Sequence, residues 1–349
     1  MMVTDWAHLP YDLLYMISTK LSDISDFIRF SAVCNSWRSS AAPADHAPRL
    51  PWILDNDGGF LVKADVRLCP SFSNKIYTIR VPHAYNMLLS GPSDCFLLNS
   101  KKPISLLNPF TGNEIPLPPL RRQTKKLYPI IFVGNRLRSE DPLVVLTFDV
   151  KSCDHILGVL RQGDDEWLVI SLRVSFGIAT LLGSFMYYKG HLYAHAQFDR
   201  HTLVIDPTSG KTVFTIRTTD RLNNNHDVKE YMMESDEKLL RVIKRIENYQ
   251  IESFEIYQLD GPEKGYRWTR IWDINDQMLF LESYSGFSVK STNFHGLRGN
   301  CIYFFHYQRT TNPLHPRARL CRYDLGNNEI RILPYPSNRA GAWIIPCIH

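Results

Sequence analysis

Two different hydrophobic periods divide this chain. From residue 9 to about residue 42, apolar side chains recur at Leu13, Leu14, Ile17 and Leu21, the i, i+3/i+4 spacing of an amphipathic helix. A second stripe carries Ile24, Phe27, Ile28 and Phe30, and a third carries Val33, Cys34 and Trp37. Pro10 suits a first helical position, where a missing N–H costs nothing, and Ser22-Asp23 and Ser25-Asp26 supply stop and N-cap chemistry. Three short helices are therefore expected, with Pro43 and Pro48 ending them in a stiff connection. A unit this small cannot bury enough surface alone, so it either caps the rest of the chain or completes its core on another protein.

Beyond Pro51 the pattern changes to apolar runs of four to seven residues, rich in Val, Ile, Leu, Phe and Tyr and broken by turn residues every ~8–12 positions. SLLNPFTGNEIPL (105–117), LVIDPTSGKTVFTI (203–216) and CRYDLGNNEIRIL (321–333) share one design: apolar strand, Asn or Asp, turn with Gly, apolar strand. Looser copies start at residues 69, 159 and 257, and the hairpins recur about every fifty residues, the blade length of a kelch-type propeller. A glycine before a tyrosine-containing strand, as in YYKGHLYA (187–194) and GNCIYFF (299–305), suits an inner strand that precedes each outer hairpin. Closing into a ring removes the edges such a large antiparallel domain would expose. The reading is an all-β propeller, six blades favoured, with Trp52-Ile53-Leu54 and Trp343-Ile344-Ile345 sharing one blade. The domain boundaries expected are 3–45 for the helices, 46–51 for the linker and 52–349 for the propeller.

The helical segment WAHLPYDLLYMISTKLSDISDFIRFSAVCNSWRSSA closely resembles an F-box, through Trp6, Leu9-Pro10, Asp12-Leu13-Leu14, Ile17, Leu21, Asp26, Arg29-Phe30, Val33-Cys34 and Trp37-Arg38. That resemblance implies docking on the Skp-type adaptor of a cullin-RING ubiquitin ligase. It places Leu9, Pro10, Leu13, Leu14 and Ile17 on the adaptor contact, with Val33, Cys34 and Trp37 holding the third helix and contributing to the same face. Leu21, Phe30 and Trp37 also read as core within the helices. The remainder resembles the C-terminal domain of a large plant F-box family, related to kelch propellers, through Pro51-Trp-Ile-Leu, LLNPFTGNEIPLPPL (106–120), YYKGHLYA, GNCIYFF and Trp343-Ile-Ile-Pro346. The role implied is a substrate-recognition subunit that recruits a target protein and supplies no catalytic residue. The alternatives are an F-box protein in a non-ligase complex and a ligand- or sugar-binding propeller with a helical appendage.

Composition narrows this further. Lys+Arg exceed Asp+Glu by 40 − 35 = 5 over 349 residues, too mild and dispersed an excess for a nucleic-acid binder. The longest uncharged stretch, residues 174–188, falls short of a membrane span, and the first residues lack the pattern of a secretory signal. Seven scattered cysteines with no C-x-x-C read as reduced thiols, and the expected location is cytoplasm or nucleus.

Motifs that suggest chemistry are weak. Ser209-Gly210-Lys211-Thr212 lacks the leading glycine of a phosphate loop, since position 205 is Ile, and stands in a β-turn. His191 and His195 have helical metal-ligand spacing, but in a strand they stand about 13 Å apart, so they are expected as partly exposed strand residues. Asp164-Asp165-Glu166 reads as a solvated turn. No cofactor or metal is expected. Two basic groups are candidates for a substrate face: Arg121, Arg122, Lys125 and Lys126 with Arg136 and Arg138, and Arg309, His315, Arg317, Arg319 and Arg322. Tyr307, Trp343 and the tryptophans at 167, 268 and 272 would be anchors if exposed, although blade-core packing suits them better.

Overall fold

The computed structural model describes residues 6–21, 23–41, 50–55, 65–80, 86–88, 95–99, 105–119, 127–133, 142–149, 154–161, 163–172, 182–196, 201–218, 227–247, 250–282, 286–294, 296–308, 317–337 and 341–346. The linker prolines, Pro43 and Pro48, lie outside these residues. A 3-10 turn at Trp6–His8 precedes three helices: α1 (Tyr11–Lys20), α2 (Ile24–Ser31) and α3 (Asn35–Ser40). Pro10 is the N-cap of α1, one position earlier than expected, and Asp23 caps α2 by accepting from the Ser25 backbone N–H at 2.8 Å.

Strands follow in chain order. They are β1 (Trp52–Asp55), β2 (Asp65–Pro70) and β3 (Tyr77–Arg80), then β4 (Asn86–Leu88), β5 (Phe96–Asn99), β6 (Ser105–Leu107) and β7 (Glu114–Pro116). Next come β8 (Leu127–Val133), β9 (Leu143–Asp149), β10 (Asp154–Leu160) and β11 (Leu168–Leu172), and β12 (Leu182–Tyr188), β13 (His191–Ala196), β14 (His201–Ile205) and β15 (Thr212–Arg217). The last groups are β16 (Asp227–Ser235), β17 (Lys238–Glu247), β18 (Gln250–Asp260) and β19 (Arg267–Ile271), then β20 (Gln277–Leu281), β21 (Gly286–Lys290), β22 (Cys301–Gln308), β23 (Arg317–Asp324), β24 (Glu329–Ile332) and β25 (Gly341–Ile344).

Among the described residues these strands pair into six sheets. Four run in simple antiparallel succession, β4 to β7, β8 to β11, β12 to β15 and β16 to β19. Each hairpin expected from the Asn/Asp-and-Gly turns is the last strand pair of its sheet. The turn chemistry is local: the Asn108 carboxamide oxygen accepts from the Phe110 and Thr111 N–H groups, Asp206 accepts from Thr208, and Asp324 accepts from Gly326.

The ring is closed by joining the two ends. β25 pairs antiparallel with β1, Trp52 opposite Ile344 and Ile53 opposite Trp343, giving the order β25-β1-β2-β3. The pairing expected from the two Trp-Ile segments is thus present. Asp55 reinforces it, lying 3.0 Å from the Arg67 guanidinium and accepting from the Ser337 hydroxyl at 2.7 Å.

The last sheet departs from the inner-strand-then-hairpin pattern. Its order is β21-β20-β22-β23-β24, with β20 and β22 parallel. The chain returns past β20 by way of a 3-10 turn at Ser291–Asn293, and it re-enters the sheet where Asn300 donates its backbone N–H to the Gln277 carbonyl. Gly299 makes that close approach possible, because a Cβ there would stand 2.4 Å from the Asp276 Cα.

α2 is seated on the propeller. Ile24, 1% exposed, packs into a cluster with Trp52, Leu54, Leu68, Leu107 and Ile344, on the seam between the closing sheet and the β4–β7 sheet. Packing of Ile24 therefore seats the helices on the ring. Ile24→Ala is expected to cost about 2–3 kcal/mol and to loosen the seat. Limited proteolysis should then cut between the helices and Pro51 faster than in the wild type.

Candidate functional site

The three helices bury one side and leave another bare. Leu14 and Ser18, four residues apart on α1, turn inward; Phe27 and Phe30 of α2 join Leu14 among the buried residues. The Trp37 ring stacks at a tilt on Phe30, centroids 4.6 Å apart, and its indole N–H donates to the Trp6 carbonyl at 3.0 Å. Trp37 thus ties α3 to the N-terminal 3-10 turn. The opposite side of α1 presents Leu13, Met16 and Ile17 at i, i+3 and i+4, with 48%, 60% and 40% of their surfaces exposed. Ile28 and Val33 are also exposed, as is Pro10, while Leu9 and Cys34 are half-buried. Large apolar residues concentrated on one face of a small helical unit mark an interaction surface.

Leu14 is a correction to the adaptor-contact set expected from sequence. It is fully buried, whereas Leu13 and Ile17 are exposed. Neighbouring residues on a helix point about 100° apart, so Leu14 can be buried while Leu13 is exposed.

The basic groups fare differently. Arg121, Arg122, Lys125, Lys126, Arg136, Arg138, Arg309 and His315 lie outside the described residues. Arg317 and Arg319 are exposed on β23, opposite Gln308 and His306 of β22, and Arg322 is half-buried. Of the aromatic candidates, Trp167, Trp268 and Trp343 are buried, whereas Trp272 is 70% exposed with the Arg270 guanidinium 3.9 Å from its ring centroid. Of these aromatic candidates, Trp272 and Tyr307 are the exposed ones.

His195 overturns its expected exposure. It is fully buried, its Nε2 3.0 Å from the Glu230 carboxylate, which also accepts from the Arg241 guanidinium at 2.8 Å. Its Nδ1 lies 3.2 Å from the Thr202 hydroxyl, which also accepts from the Trp268 indole N–H. Burial pushes the Glu230 carboxyl up, but the hydrogen bonds and charges of His195 and Arg241 outweigh it and hold it at about 2. This is a structural network between two sheets. Among the described residues no group of three or more His, Cys, Asp or Glu could hold a metal ion, and no helix is long and apolar enough to cross a membrane. The cysteines at 34, 69, 95, 301 and 321 are free thiols.

Comparison with known proteins decides the family. The F-box domain matches residues 6–42, and the KIB1-4 beta-propeller matches residues 66–330, about three quarters of the chain. The chain belongs to the KIB1-4 beta-propeller family. It is an F-box protein with a propeller domain, and its relatives are plant F-box proteins. The F-box protein SKIP23 of Arabidopsis thaliana is 26% identical, over 87% of this chain and 84% of its own length. A putative F-box/kelch-repeat protein of the same plant is 24% identical over 86% of each chain. Among solved structures, a protein of unknown function from Bacteroides caccae aligns with 84% of this chain and 98% of its own at 10% identity, with a TM-score of 0.46. The closing strands β1 and β25 fall outside the stretch matched by the propeller family.

Proposed function

We propose that this F-box protein is the substrate-recognition subunit of a Skp-cullin-F-box ubiquitin ligase, working in the cytoplasm or nucleus. The reading is carried by one observation: an F-box helix bares Leu13, Met16 and Ile17 while the neighbouring α2 is locked onto the propeller through Ile24. Apolar anchors entering a groove supply the affinity for the Skp-type adaptor, which in turn brings the cullin and RING subunits. Rigid seating of the F-box on the ring then fixes where a target held by the propeller sits relative to the charged ubiquitin carrier. Catalysis of this kind is by proximity: holding a target lysine near the donor raises its effective concentration, and this chain contributes geometry, not a reacting group. Docking also covers the apolar face that the free chain leaves in water.

The test is co-expression with a Skp-type adaptor, a cullin and a RING subunit, followed by size-exclusion chromatography. One peak containing all four chains is the expected result. A folded chain that elutes apart from the other three would overturn the proposal.

A further inference from the structure

A second surface lies on the propeller, independent of the F-box. Alternation along β16 and β17 sends Tyr231, Met233, Leu240 and Val242 toward the last sheet, where they pack with Leu279, Leu281, Ile302 and Phe304. Glu230, Met232 and Arg241 point the other way, toward the β12–β15 sheet. Lys229 and Lys244 belong to the first set, and they are direct cross-strand partners. Both line a cavity of about 230 Å³ between the two sheets, whose far wall includes Phe304, His306 and Tyr307.

This arrangement is costly without a counter-charge. Like charges directly opposite on one face of a sheet repel, and Lys244 is only 3% exposed. Its ammonium lies 4.6 Å from the centroid of the Phe304 ring, and that of Lys229 lies 5.8 Å from the centroid of Tyr307. Glu282 also lines the wall, yet among the described residues no carboxylate pairs with either lysine. Burial lowers the pKa of Lys229; burial and then the charge of Lys229 lower Lys244 to about 8. Burial likewise lowers His306, with Lys244 and Arg319 adding to it. Aromatic walls that include the half-exposed Tyr307, and two cations with no carboxylate partner among the described residues, together describe a receptor for an anion.

We propose that this cavity binds an aromatic phosphomonoester, its dianionic head between Lys229 and Lys244 and its ring against Phe304 and Tyr307. The volume is below the ~300–1,000 Å³ typical of sites for larger ligands, so it suits one ring and its head group, not a dinucleotide. That chemistry has two sources, a free aryl phosphate or a phosphotyrosyl side chain of a recruited protein.

Calorimetric titration of the full chain with phenyl phosphate tests the site, with phenol as the uncharged control and a phosphotyrosine peptide as the second source. Phenyl phosphate is expected to bind and phenol not to. Lys244→Met and Lys229→Met are each expected to weaken phenyl phosphate about tenfold or more. Without ligand, Lys244→Met should melt no lower than the wild type, because it removes an unpaired buried charge. Competition by the peptide would assign the site to a phosphoprotein, and its exclusion would assign it to a free small molecule. No binding of phenyl phosphate to the wild-type chain, or wild-type affinity retained by both lysine variants, would overturn the proposal. The wild-type titration decides the matter even if a variant fails to fold.

Discussion

Truncating Trp343 to alanine is expected to cost about 3–5 kcal/mol of stability, the range for removing a fully buried large aromatic. Trp343 is 2% exposed on β25, the strand that closes the ring by pairing with β1. Its ring meets Phe280 edge-on at 4.9 Å and Phe305 at 5.6 Å, and its indole N–H donates to the Leu281 carbonyl at 3.0 Å. One side chain thus ties the closing strand to the last sheet as well as to its own. Alanine there opens a cavity and strands the Leu281 carbonyl in an apolar site, so the transfer and hydrogen-bond losses add. Trp343→Phe keeps one aromatic ring but loses the hydrogen bond and part of the indole's volume, so its cost is expected to fall between the wild type and the alanine variant. Denaturant melts of the three proteins measure this order, and an alanine variant within 1 kcal/mol of the wild type would contradict the closure account.

The buried Glu230 network should respond as strongly. Glu230→Leu is expected to cost about 3–5 kcal/mol, because it breaks the ion pair with the Arg241 guanidinium, which is only 1% exposed. The loss comes mainly from the broken buried ion pair, so adding Arg241→Met to Glu230→Leu should recover much of it. A double variant as unstable as the single one would show that the pair is not the unit. The network also has a pH signature. A carboxyl held at about 2 when folded, against about 4.5 when unfolded, contributes stability that is fully present above 4.5. That contribution is lost as pH falls from about 4.5 toward 2, as protons bind the unfolded chain preferentially. Acid melts should show the wild type losing its advantage over the double variant across that window.

The parts of this fold legible in the sequence are those written in local chemistry. An Asn or Asp that folds back on the N–H two residues later needs only its own turn, so the outer hairpins at Asn108, Asp206 and Asp324 could be read directly. The closing strand was legible because its two Trp-Ile segments are apolar on both faces, as strands buried within a ring must be. What the sequence hides depends on packing between elements. Helical periodicity marks both Leu13 and Leu14 as apolar, and only the placement of α3 decides which one turns inward. Ile24 reads as one more residue of the α2 stripe, although its partners are Trp52 and Ile344 across the chain. His195 reads as a strand histidine until Glu230, on another sheet, is brought 3.0 Å from it. Lys229 and Lys244 become a site only once the hairpin register sets them opposite each other, and no motif announces that. The signal that was available is the alternation within VKEYMM and RVIKRI, where a lysine takes a position that the period of two assigns to the core.

The most direct test of the central claim is a binding isotherm between the purified chain and a Skp-type adaptor, run beside a Leu13→Asp/Ile17→Asp double variant. Both positions are already exposed, so the variant should fold and melt like the wild type. The wild type is expected to bind, and loss of the two anchors should weaken it by on the order of 2–4 kcal/mol, roughly 30- to 1,000-fold. Equal affinity of the two proteins, or no binding by a folded wild-type chain, would contradict the assignment of this face to the adaptor.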